Sequence, residues 1–96
     1  MTDIPVVSLT TESSLESYVR KVLCEHDRLA EKQTVLFQEP ISRNGRACGR
    51  LFHIRGPRMM RNSAIWTEGE NRILFYESTG KRFLEVRLSE SPGTGA

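Results

Sequence analysis

Between Glu39 and Glu68 the chain holds Arg43, Arg46, Arg50, Arg55, Arg58 and Arg61 and no acidic residue. All 12 acidic residues lie in the remainder, so a positive middle sits inside a negative frame under a formal net charge of +2. Guanidinium groups suit one kind of chemistry above others: forked, charge-assisted bonds to phosphate or carboxylate oxygens. The arginines are either solvated turn and salt-bridge residues or contacts to an extended polyanion such as nucleic acid. The chain carries no RNP aromatics, helix-turn-helix, GXXG loop or zinc-finger spacing to support it.

Cys48 lies between Arg46 and Arg50. Neighbouring positive charge makes a thiol a better nucleophile. A nucleophile also needs a base. The candidates are His53, on the opposite face of the same strand, and His26, on a helix. The expected role of Cys48 is therefore a small apolar residue facing Ile41. Cys24-x-His26 and Cys48-x4-His53 invite a zinc reading. On a helix, positions two apart diverge by roughly 200°, so Cys24 and His26 cannot share a metal. The wheel puts His26 toward the apolar stripe and Cys24 on the solvent side. No catalytic residue, metal or cofactor is expected.

The helix that positions them is legible. Ser13 and Glu16 have capping-box spacing, with Thr11 as an alternative cap. Leu15, Tyr18, Val19, Val22, Leu23, Leu29 and Ala30 fall on one arc. An amphipathic helix is expected over residues 12–32. Residues 1–11 read as an extended lead-in whose Val6 and Val7 can dock on the fold. Residues 89–96 read as a disordered tail.

From residue 33 to 88 the pattern turns to period two. Asn44-Gly45 suits a type I′ hairpin turn. Continued along both strands, that turn sets Phe37 opposite Phe52, Val35 opposite Ile54, Ile41 opposite Cys48 and Glu39 opposite Arg50, all on the core face. Pro40 has no N–H to donate, so its strand belongs at a sheet edge. A Gly69-Glu70 turn sets Trp66 opposite Ile73 and Ala64 opposite Phe75. A Thr79-Gly80 turn sets Ile73 opposite Val86, Phe75 opposite Leu84, Tyr76 opposite Phe83 and Glu77 opposite Arg82. The expected fold is α+β in a single domain: one N-terminal amphipathic helix packed on one face of an antiparallel β-meander of four to five strands.

One helix covers one face. The other face then shows Ile65, Leu74, Tyr76 and Phe83, with Leu51 nearby. Large apolar side chains there mean either a sheet that curls to cover them in part or packs Val6 and Val7 on them, or an interaction surface. The leading expectation is a non-catalytic domain that forms a homodimer or binds a protein there. The alternative is a nucleic-acid module using Arg43, Arg46, Arg55 and Arg58 at the hairpin ends. No apolar run approaches the ~20 residues of a membrane span, and the N-terminus lacks a basic, then apolar, leader pattern. A cytoplasmic protein with free thiols and no membrane partner is expected.

Overall fold

The computed structural model describes residues 4–56, 60–90 and 92, the side chain of Glu31 aside. Arg58 and the tail positions 91 and 93–96 lie outside the described residues.

The helix α1 runs Glu12–His26. Its N-cap is Thr11, whose hydroxyl accepts from the Ser14 N–H at 3.0 Å while Ser14 Oγ accepts from the Thr11 N–H at 3.0 Å. This reciprocal pair satisfies two amides at the helix start and displaces the expected Ser13–Glu16 box. Leu15, Val19 and Leu23, four residues apart, are buried on the inner face.

The helix stops six residues before residue 32. Arg28 adopts a left-handed φ of 55°. The Leu29 N–H bonds the Cys24 carbonyl at 2.8 Å and the Arg28 N–H bonds that of Glu25 at 3.2 Å. This is a Schellman reversal with arginine where glycine is usual. Leu29 packs against the core from outside the helix, which explains its place in the apolar pattern. A short 3₁₀ turn, Glu31–Gln33, follows and lies against α1. The expected orientation of the last turn is reversed. Cys24 is fully buried in the core cluster with Leu36, whereas His26 is exposed.

Among the described residues the six strands are β1 (Val6–Val7), β2 (Phe37–Arg43), β3 (Arg46–Arg55), β4 (Arg61–Thr67), β5 (Arg72–Tyr76) and β6 (Arg82–Leu88), in the sheet order β1-β6-β5-β4-β3-β2. The α+β class holds, with six strands rather than four or five. Strands β2 to β6 are antiparallel neighbours, while β1 is parallel to β6. Val6 and Val7 thus dock by adding a strand. Pro40 lies on β2, an edge strand as expected.

Two bulges reset the expected registers. In the first hairpin the Asn44-Gly45 turn forms with φ of 55° and 77°, and Arg43 faces Arg46. The register then shifts between Ile41 and Ser42, so that Ile41 faces Gly49 and Cys48 is left over. One extra residue exchanges the faces of everything beyond it. Phe37 therefore faces His53, not Phe52, and Glu39 faces Leu51, not Arg50. The second shift lies between Phe75 and Tyr76. The β5–β6 loop closes as Glu77 N–H to the Lys81 carbonyl, with Gly80 at a φ of 90°. Tyr76 then faces Arg82, and the bulge at Phe83 restores Phe75–Leu84 and Ile73–Val86 as expected. Trp66–Ile73 and Ala64–Phe75 also stand as expected.

The core lies between α1 and one sheet face. Val19, Leu23, Phe52, Ala64, Ile73, Phe75 and Val86 are fully enclosed there. Phe75 meets Tyr18 edge-on, with ring centroids 6.4 Å apart. Arg50 ties the helix start to the sheet. Its guanidinium reaches Glu12 at 2.5 Å and Glu16 at 3.6 Å, and donates to Gln38 Oε1 at 3.2 Å. The expected Glu39 partner is on the other face because of the Cys48 bulge. No helix among the described residues is long and apolar enough to cross a membrane.

Candidate functional site

The candidate site is the sheet face that α1 does not cover. Cross-strand partners share a face, so the registers map it directly. One row runs Phe37, His53, Ser63, Tyr76, Arg82. The next runs Glu39, Leu51, Ile65, Leu74, Glu85. The third runs Ile41, Gly49, Thr67, Arg72, Arg87. Leu51, Ile65 and Leu74 form a central apolar stripe, each half-buried, with Tyr76 half-buried beside it. Phe37 is 39% exposed on the flank.

Ile65, Leu74 and Tyr76 thus share this outer face. Phe83 does not belong with them. Its bulge turns it to the helix side, where it packs on the core and stacks on His26 at 3.7 Å. Phe37 takes its place as the second aromatic of the outer face. The missing signal was the bulge at Cys48, which the adjacent Gly49 could have raised.

Charge frames the stripe unevenly. Arg72 is held by Glu70 at 2.5 Å and by Glu85 at 2.9 Å. These two carboxylates raise its pKa above the ordinary arginine value. Arg55 and Arg61 oppose each other across β3 and β4. Arg55 lies over the Phe37 ring at 5.1 Å. Arg61 Nη2 lies 3.3 Å from His53 Nδ1.

His53 is 4% exposed, and Phe37 stacks on it at 4.9 Å. If Arg61 donates to Nδ1, the proton sits on Nε2, which is buried with no partner. Burial foremost, then Arg61 and Arg55, hold the imidazolium pKa below the ordinary histidine value, with Glu39 opposing. The fold therefore keeps His53 neutral, while the unfolded chain takes up a proton near pH 6.5. Stability from the neutral ring is present in full above that pH and is lost as pH falls toward the depressed folded value. We predict that urea midpoints decline from pH 7 to pH 5, and that His53→Gln flattens this decline. An unchanged slope in the variant would contradict the assignment.

The remaining candidates are dispersed. Arg43 and Arg46 flank the first turn, at the opposite end of β3 from Arg55. At about 3.3 Å per residue the two ends of this strand are roughly 30 Å apart. Cys48, the bulge residue, lines an open groove of about 560 Å³ with Arg43, Asn44, Arg46, Ala47, Glu68 and Gly69. Among the described residues no histidine lines that groove. His26 is engaged elsewhere, at 3.2 Å from Glu77. The Thr79 hydroxyl first, and then His26, lower the Glu77 pKa. A smaller cavity of about 260 Å³ lies beside the helix start, among Leu15, Pro40, Arg50, Trp66, Glu68 and Pro92.

Fold and site together define a small α+β domain with one sheet face covered by its own helix and the other presenting an apolar stripe rimmed by arginine. No family model, curated protein or solved structure matches the chain.

Proposed function

We propose that this chain is a non-catalytic interaction domain that self-associates through its outer sheet face. The observation that carries the reading is the Leu51–Ile65–Leu74 stripe with Tyr76 and Phe37, which no described element covers. Two such faces pack about 10 Å apart with their strands within about 30° of each other. A stable pair needs about 800 Å² from each partner. The molecule is 37 by 36 Å in its two larger dimensions, which leaves room for that contact. Glu85 is neutralised on its own chain by Arg72 and Arg82, so closure strands no carboxylate there. The arginines at the rim favour a pairing that keeps them solvated.

Light scattering in the tens of micromolar is the test. The wild-type chain should give a dimer, and Ile65→Lys or Tyr76→Glu should give a folded monomer. A wild-type monomer across that range would end this reading. Nucleic-acid binding at the hairpin ends has less support. Its arginines divide between two distant strand ends, Arg58 lies outside the described residues, and Arg50 is already engaged by Glu12 and Glu16.

A further inference from the structure

We propose that Arg55 and Arg61 form an oxyanion site, suited to a phosphoryl group, at the His53 end of the outer face. The two residues are direct cross-strand partners and both are exposed. Like charges placed opposite each other destabilise a strand pair unless something neutralises them. Neither has an ion-pair partner among the described residues; Glu39, on the same face beside Leu51, acts on His53 but pairs with neither arginine. Arg72, on the same face, is neutralised by Glu70 and Glu85.

What separates this pair from Arg43 and Arg46 is anchorage. Arg43 and Arg46 also face each other, but among the described residues the one arginine set over an aromatic ring is Arg55. Arg55 is held by the Phe37 ring and Arg61 by His53 Nδ1. Anchored guanidinium groups lose less freedom when they close on a ligand, which raises affinity without a new contact. Two planar forks suit a phosphoryl group, which offers three oxygens and up to two charges. The neutral state of His53 fits this assignment, because an uncharged ring can accept from Arg61. The site does not depend on self-association, since both guanidinium groups belong to one chain.

The experiment titrates inorganic phosphate, and separately adenosine 5′-monophosphate, into the full chain at pH 7.5. Protein concentration is kept where light scattering shows a single species. Arginine side-chain and His53 ring resonances are followed by NMR. Saturable shifts confined to Arg55, Arg61 and His53 are expected, in the millimolar range for phosphate. Arg55→Gln should weaken the binding at least about tenfold, whereas Arg43→Gln with Arg46→Gln should leave it unchanged. Circular dichroism checks that each variant is folded. Equal affinity for the two ligands identifies the phosphoryl group alone as the ligand; tighter nucleotide binding identifies a nucleotide source. Shifts that fail to saturate, or that survive Arg55→Gln, would overturn the site.

Discussion

Gly49→Ala should lower the unfolding midpoint by roughly 10–20 °C, on a cost of about 3 kcal/mol in a domain of this size. Gly49 is buried and lies between the Cys48 bulge and the ladder to β4, where it pairs with Thr67. A methyl group at this position would overlap the Trp66 carbonyl oxygen and come within 3.2 Å of Thr67 Cα. Both are backbone atoms of the neighbouring strand, so no side chain can swing away to make room. Relief requires β3 and β4 to separate or the bulge to move. A moved bulge would send β2 back to the wrong face. Gly69→Ala is the matched control. Its added methyl meets nothing within 4 Å and its φ is not left-handed, so a change within about 0.5 kcal/mol is expected. Thermal unfolding followed by circular dichroism reads both. Equal midpoints for the two variants would refute the steric argument.

The second large effect concerns Asn62, which is 1% exposed and donates from Nδ2 to Asp27 Oδ2 at 2.6 Å. Asp27 is the C-cap of α1, so this bond fastens the end of the helix to β4. Asn62→Asp replaces the donor with a second carboxylate at nearly the same distance. Losing this hydrogen bond to a charged group costs about 1.5–3 kcal/mol at neutral pH, and the like charge now beside Asp27 adds to it. Two carboxylates so placed cannot both ionise, and one pKa rises. The folded variant then binds a proton that the unfolded chain releases, so its stability should increase as pH falls from 7 toward 4.5. The native protein should behave in the opposite sense. His53 has a lowered pKa, so folding loses support as it takes up its proton in this range, whereas the support from Glu77, also lowered, is lost only at lower pH. Urea midpoints at pH 7 and 4.5 test this, and a deficit equal at both would rule out carboxylate repulsion as the cause.

Much of the architecture follows from short-range signals. Thr11, as the alternative cap, marked the helix start, Asn44-Gly45 marked the first turn, and Pro40 marked an edge strand. The Ile73 and Phe75 pairings came from the turns placed at Gly69-Glu70 and Thr79-Gly80. What escaped were single-residue events with long consequences. The bulges at Cys48 and Phe83 each insert one residue, which is enough to move Phe37 out of the core and Phe83 into it. The left-handed Arg28 ended the helix early without the glycine that usually announces such a cap. Arg50 found its acids on α1, far away in sequence, and no strand register could have named Glu12 or Glu16. Of the candidate site, Ile65, Leu74 and Tyr76 were legible because their strands pair before a bulge intervenes. Phe37, His53 and Arg61 were not recognised as neighbours.

The two margins of the sheet bear on how copies of this chain can come together. An open strand edge is a template on which further strands can be added without limit. Here β2 carries Pro40, which cannot donate to an incoming strand. The other margin of the main sheet, β6, is capped by the two residues of β1, which follow directly on Pro5. The Arg87 N–H bonds the Pro5 carbonyl and the Ser89 N–H bonds that of Val7, so β6 offers those amides to nothing else. Lateral growth into a continuous ribbon is thereby discouraged on both sides. The self-association proposed above would instead use the same patch on both copies, and a self-complementary patch of that kind is consumed when two molecules meet. The proline-guarded margins thus favour a closed, finite assembly over an extended polymer.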